Sequence, residues 1–359
     1  MKGWRRIVRH LMQSGLALAG LAAGLSATGF PRPAHTVEIL HNYVRGLSPD
    51  RWVNGYLPMF ESTRTPGTPA EVWMYDRQGR EVIRKTRILP EDAYRIVPWD
   101  VAALPDGRLL LSADLWSSAA EAASVLCFVK PPGVLEKIVR TEIAADSLGV
   151  APNGEIWGFG APAALRWDRE ARYETLRKWS PEGRQLFASL PRGSFATQFP
   201  PALYSSTGGP SRVLVGENRL GLYSSQTGEW LELAPATGEV LARFRLEQPR
   251  QEGNHRPAPL LNAVMTASGR VYARFATGRF AKQIFFQLDG EARQWKPLPP
   301  DRFPPDFRGL SGADGEQLIL RSGPGLYGWF PAPDVVGGQA ATGIVEWDAQ
   351  EQRFTAQAR

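Results

Sequence analysis

Asp100-Val-Ala-Ala-Leu-Pro-Asp-Gly-Arg-Leu-Leu-Leu-Ser-Ala-Asp114 reads as one β-hairpin: an apolar strand, an Asp-Gly turn and a second apolar strand. The same pattern returns at Leu148-Gly-Val-Ala-Pro-Asn-Gly-Glu-Ile-Trp157, at Asn262-Ala-Val-Met-Thr-Ala-Ser-Gly-Arg-Val-Tyr-Ala273 and at Leu310-Ser-Gly-Ala-Asp-Gly-Glu-Gln-Leu-Ile-Leu320. A degenerate copy is Val213-Leu-Val-Gly-Glu-Asn-Arg-Leu-Gly-Leu-Tyr223. Asp-Gly and Asn-Gly between apolar runs mark hairpins, and two-residue turns of this kind want φ > 0 at both central positions.

Between these copies lies a second kind of hairpin, with an aromatic or apolar strand, a turn and a more polar strand. Its turns fall at Gly79, Gly133, Gly183, Gly238 and Gly290, separated by 54, 50, 55 and 52 residues. A sixth copy, Val345-Glu-Trp-Asp-Ala-Gln350, ends the pattern. Four strands per repeat of about fifty residues is propeller spacing. Six second hairpins against five clear first hairpins predict an all-β, six-bladed β-propeller. The missing first hairpin is expected within residues 37–60, with Asn54-Gly55 as its turn. The even spread of 36 Gly and 30 Pro agrees with many short elements.

The segment Val97-Pro-Trp-Asp-Val-Ala-Ala-Leu-Pro-Asp-Gly-Arg-Leu-Leu-Leu-Ser-Ala-Asp114 resembles the opening of an NHL-type repeat, and the chain as a whole resembles the six-bladed NHL and TolB-like propellers. That resemblance implies a fold and a ligand-binding face. More distantly, Asp146-Ser-Leu-Gly-Val-Ala-Pro-Asn-Gly-Glu-Ile-Trp157 is similar to the segment of SMP-30/gluconolactonase-like propellers that carries a metal-binding Asp. Trp99 or Leu261 stands where those proteins have their Asn, and no counterpart of their Glu is evident.

Residues 1–30 contain Lys2, Arg5, Arg6 and Arg9 but no acid, then an apolar stretch over 11–25 and small residues at 26–29. Basic, apolar and small in that order is the layout of a secretory signal, and the apolar stretch is short for a membrane span. The expected division is a signal at 1–30 and a single propeller domain at 31–359, periplasmic or secreted, with no membrane span in the mature chain. Four of the six net positive charges belong to that signal. The remainder is nearly neutral, which argues against nucleic acid as a partner. Cys127, the only cysteine, lies in the apolar run Val125–Val129 and reads as a buried structural thiol.

Polar residues recur at one position of the first hairpins. Asp100, Asn262 and Arg308 each lie seven residues before a turn glycine, and Asp146 lies eight before its own. With Asp114 and the aromatic Trp329 of the Pro/Gly-rich insertion 321–341, they form the candidate ligand-binding set. A ring of carboxylate, amide and guanidinium at a channel mouth suits a small polar ligand. No nucleophile elbow, phosphate loop or histidine cluster is present in the sequence. Two readings follow. One is a non-enzymatic scaffold without cofactor, binding an envelope or extracellular protein, a peptide or a small polar ligand. The other is a metal-dependent hydrolase of the lactonase type, with a divalent cation at Asp146.

Overall fold

The first strand of every described sheet is an edge strand, and the architecture is organised around covering it. The computed structural model describes residues 35–39, 44–48, 51–56, 66–195, 212–298, 307–314, 317–322, 340–348 and 353–354, less a few single positions and short turns inside the longer stretches. The expected signal at 1–30 lies outside these residues, as does the insertion from 323 onwards with Trp329.

Strand β1 (His35–Ile39) precedes the first sheet, which is β2 (Val44–Ser48), β3 (Arg51–Tyr56), β4 (Ala70–Asp76) and β5 (Glu81–Ile88). The second is β6 (Arg95–Ala103), β7 (Leu109–Trp116), β8 (Ala122–Lys130) and β9 (Val134–Thr141). The third is β10 (Ala144–Val150), β11 (Ile156–Ala161), β12 (Glu174–Trp179) and β13 (Gln185–Pro191), with one 3-10 turn at Ala163–Leu165. The fourth is β14 (Arg212–Val215), β15 (Leu220–Ser224), β16 (Glu229–Leu233) and β17 (Val240–Arg245). The fifth is β18 (Leu260–Met265), β19 (Val271–Ala276), β20 (Gln283–Asp289) and β21 (Gln294–Pro297). The last contains β22 (Phe307–Asp314), β23 (Gln317–Ser322), β24 (Ala340–Asp348) and the short β25 (Arg353–Phe354).

Every described sheet is an antiparallel meander. The first strands touch in cyclic order: β2 on β6, β6 on β10, β10 on β14, β14 on β18, β18 on β22, and β22 back on β2. Sheets standing around a closed ring of first strands are the blades of a β-propeller. The ring is also joined through its strands. β1 lies along the outer edge of β24, with His35 opposite Ile344 and Ile39 opposite Ala340. The N-terminal strand thereby completes the last sheet.

Burial follows from this stacking. A strand covered on both faces reads as a continuous apolar run rather than an alternation. Leu109–Asp114 of β7, Val125–Val129 of β8 and all of β11 are buried on both faces. The outermost strands alternate or stand exposed, as β17 does along most of its length. Cys127 is buried among these apolar neighbours, and burial pushes its thiol up to about 12.

Turn chemistry departs from expectation in an instructive way. At the Asp106-Gly107 turn, the Gly107 N–H donates to the Leu104 carbonyl (2.9 Å) and the Leu104 N–H to the Arg108 carbonyl (2.8 Å). That is a three-residue loop ending in a left-handed residue, and only the glycine (φ 95°) has φ > 0. The same pair of bonds closes the loops at Gly154, Gly183 and Gly269. Pro105, Pro152 and Pro181 occupy the position where a fixed negative φ starts such a turn. Asn54-Gly55 is not a turn: both residues lie within β3, whose Arg51 pairs with Ser48 at the end of β2.

The second, third and fourth sheets are fastened in sequence by two kinds of contact. At one end side-chain acceptors reach backbone donors of the next sheet. Leu148 N–H donates to Asp100 Oδ2 (2.7 Å), Ala145 N–H to Ser112 Oγ (2.6 Å) and Ala163 N–H to Ser124 Oγ (2.9 Å). Val213 N–H donates to Ser147 Oγ (3.0 Å). At the other end cations reach turn carbonyls of the next sheet: Arg108 to Pro181 (3.1 Å), Lys178 to Pro235 (3.4 Å) and Arg219 to Gly269 (2.6 Å).

Asp100 is the most heavily used of these acceptors, because its Oδ1 also takes the Val101 N–H (2.9 Å). Asp100→Ala is expected to leave buried donors unsatisfied and to cost on the order of 3 kcal/mol, read as a lower urea midpoint with unchanged slope. Asp100→Asn should cost less, since its amide oxygen retains one of the two bonds.

Candidate functional site

The candidate site lies at the joint between the second and third sheets, where a β-bulge sets the geometry. Four of the first strands carry an extra residue at the same place in the repeat. The bulged residues are Trp99 in β6, Asp146 in β10, Leu261 in β18 and Arg308 in β22. A bulge leaves one residue outside the ladder and re-aims its side chain. Asp146 is thus the repeat counterpart of Trp99, whereas Asp100 corresponds to Ser147 and Asn262.

The β10 bulge is accommodated by small residues opposite it. Gly160 in β11 pairs with Ala145, and a Cβ on Gly160 would run into the Ala144 carbonyl oxygen. Gly158 is equally constrained, since its Cβ would lie 2.5 Å from the Trp179 ring. Gly160→Ala is expected to displace the bulge and destabilise the fold by about 1–3 kcal/mol, measurable as a fall in Tm.

Arg166, on the loop between β11 and β12 just after the 3-10 turn, is the centre of the cluster and is only 1% exposed. Its Nη1 donates to Asp146 Oδ1 (2.5 Å), and its Nη2 donates to the Ala144 (3.1 Å) and Ala161 (3.3 Å) carbonyls. Its Nε lies 3.4 Å from Asp114 Oδ2, at the end of β7 in the neighbouring sheet. The guanidinium sits over the Trp99 ring, 3.9 Å from the centroid. One arginine therefore touches both strands β10 and β11 of its own sheet and both strands β6 and β7 of the sheet before.

The charges are tightly linked. Burial works against the Arg166 charge, but Asp146 and Asp114 outweigh it and hold the guanidinium above its ordinary value. Burial pushes the Asp146 carboxyl up to about 6; Arg166 opposes that rise, and Asp114 and Asp100 add to it. Burial also raises Asp114, against the pull of Arg166. Asp146 Oδ2 and Asp114 Oδ1 have no hydrogen-bond partner among the described residues.

Of the candidate residues, the structure brings Asp100, Asp114 and Asp146 to this joint. Asn262 lies in the fifth sheet, where its Oδ1 accepts the Ala263 N–H (2.9 Å) just as Asp100 caps Val101. Arg308 occupies the bulge of β22. Trp329 lies outside the described residues. Sequence reasoning missed Arg166, Ser112, Ser124 and Ser147. Serines interrupting apolar strands were a usable signal, but Arg166 has no repeat counterpart to draw attention to it.

Chemically, the arrangement is an ion-pair cluster that locks two sheets. No group of three or more His, Cys, Asp or Glu side chains is placed to hold a metal among the described residues. At Asp146 the positive partner is already a guanidinium. Arg166→Met should strand two buried carboxylates and cost about 3–5 kcal/mol, read by urea unfolding.

No family model matches the chain, and no curated protein matches it. Solved structures do. A protein of unknown function from Bacteroides caccae is 12% identical, with 86% of this chain and 93% of that chain covered at a TM-score of 0.46. The PQQ-bound aldose sugar dehydrogenase of Streptomyces coelicolor is also 12% identical, covering 87% and 96% at 0.44. The β-propeller domain of Cps50 from Myceliophteria thermophila is 10% identical, covering 91% and 88% at 0.42. The assignment of this chain as a β-propeller rests on its own cyclic packing of first strands.

Proposed function

We propose that this chain is an exported six-bladed β-propeller that serves as a rigid binding scaffold and not as an enzyme. Six blades are supported by the six meanders and by the return of β22 to β2. Export to the periplasm or beyond is supported by the basic, apolar and small order of residues 1–30. Among the described residues no helix is long and apolar enough to cross a membrane. The NHL and TolB-like resemblance of residues 97–114 belongs to the same reading.

The observation that carries the scaffold reading is how the inner carboxylates are employed. Asp100 accepts two backbone N–H groups, and Asp146 and Asp114 share Arg166. These groups maintain the joint between sheets. A protein, peptide or small polar ligand would meet the loop-rich face above it, at the connection into β10 and the β7–β8 and β11–β12 loops. Loops on a rigid frame are where recognition concentrates.

The second reading, a lactonase-type hydrolase with a divalent cation at Asp146, is favoured only by the unpartnered Asp146 Oδ2. Metal analysis of the purified chain after dialysis against a trace of calcium or zinc separates the two. Less than a tenth of an equivalent of divalent ion is the outcome expected of the scaffold. One equivalent per chain, lost in Asp146→Ala together with lactone hydrolysis, would establish the hydrolase instead.

A further inference from the structure

Two of the acceptors that tie one sheet to the next sit at a single position of the first strands. Asp100 lies opposite Ser112, Ser147 opposite Phe159, Arg212 opposite Tyr223 and Asn262 opposite Arg274, each three rungs from the pair that closes the hairpin. Asp100 accepts the Leu148 N–H of the third sheet, and Ser147 accepts the Val213 N–H of the fourth. In the fourth sheet the position is held by Arg212, whose side chain has donors only. The Ala263 N–H of the fifth sheet, counterpart of Leu148 and Val213, is taken instead by its own neighbour Asn262 (2.9 Å). Arg212 is thus a cation where the repeat calls for an acceptor, and the Ala263 N–H does not need it.

The surroundings of Arg212 supply no countercharge. It is 7% exposed, its Nε is shut away from solvent without a partner, and no hydrogen bond or ion pair reaches its guanidinium among the described residues. Arg166, Arg177 and Lys178, buried to a similar degree, each meet a carboxylate. The carboxylates on the described strands of the fourth and fifth sheets are already engaged: Glu229 by Arg243, Glu232 by Arg219 and Asp289 by Lys296. Residues directly opposite in a ladder share a face, so Arg212 stands beside Tyr223, which packs against Phe275 of the fifth sheet. Leu260 and Ala263 belong to the same apolar cluster. A guanidinium without a partner is costly in such a place, and the low dielectric strengthens its pull on an anion.

We propose that Arg212 anchors a binding site for a ligand carboxylate at the joint between the fourth and fifth sheets. The planar fork of a guanidinium presents two parallel N–H donors to the two oxygens of a carboxylate. One guanidinium balances one negative charge, whereas a phosphate dianion would leave a second uncompensated beside the apolar cluster. Arg166 and its carboxylates join the second and third sheets, so the two sites are separate, and this one does not depend on the scaffold reading.

The test is equilibrium dialysis of radiolabelled acetate against the full chain in sodium chloride near neutral pH, for the wild type, Arg212→Met and Arg212→Lys. Arg212→Met strands no partner and is expected to fold. It should bind acetate at least about tenfold more weakly than the wild type, the loss of a charge-assisted pair. Arg212→Lys keeps the charge and loses the fork, so its affinity should fall between the two. Unlabelled acetate should displace the label better than inorganic phosphate does. Acetate should also raise the urea midpoint of the wild type and leave that of Arg212→Met in place. Equal acetate binding by the wild type and Arg212→Met, or none by the wild type, would overturn the site, and better displacement by phosphate would overturn the carboxylate assignment. Should Arg212→Met fail to fold, the wild type against Arg212→Lys decides: weaker binding by the lysine variant supports the site, and equal affinities refute it.

Discussion

A sheet whose first strand has no neighbour presents a row of backbone N–H groups that must find acceptors. This protein meets that demand with side chains from the preceding sheet. Asp100 takes Leu148 N–H and Ser147 takes Val213 N–H, one step further around the ring. Ser112 does the same for Ala145, and Ser124 takes the Ala163 N–H in the 3-10 turn after β11. The direction is consistent at the opposite end, where Arg108, Lys178 and Arg219 each reach a turn carbonyl of the following sheet. A meander alone would hold its own ladder. These handovers, from the second sheet to the third, the third to the fourth and the fourth to the fifth, tie separate meanders to one another.

Once the joints are seen as the organising constraint, the buried charges fall into place. A guanidinium out of water is tolerable only with its donors satisfied and its charge paired. Arg166 satisfies both conditions by drawing on two sheets, and it needs the bulge at Asp146 and the bare Cα of Gly160 to do so. Three residues of the ligand-binding set expected from the sequence, Asp100, Asp114 and Asp146, therefore serve first to hold the second and third sheets together.

The hairpin repeat was legible because glycine is strongly favoured where φ is positive, and Gly107, Gly154, Gly183 and Gly269 mark their turns faithfully. The loop type was misjudged because Asp-Gly and Asn-Gly serve two-residue and three-residue loops alike; the proline before the Asp or Asn was the distinguishing sign. Asn54-Gly55 misled for the same reason, having turn chemistry inside β3. Asp100 and Asp146 were grouped although they lie seven and eight residues before their glycines, and the ladder keeps that offset: Asp146 is the bulged counterpart of Trp99, not of Asp100. Asp100 and Asn262 were rightly paired by spacing, and their shared role is to cap the next backbone N–H. Arg166 was illegible because it comes from a loop with no copy among the described residues, and its carboxylate partners lie 20 residues away or in another sheet.

The measurement that bears most directly on the sheet-to-sheet handover is native-state hydrogen exchange at the Leu148 and Val213 amides. Both sit on the first strand of a sheet, and in the structure each donates across a joint to a side chain. The expected result is that both exchange only with global unfolding, as slowly as the central amides of β7 and β11, and that Asp100→Ala frees Leu148 but not Val213. Fast exchange of both amides in the intact protein, at the rate of an open edge, would contradict it.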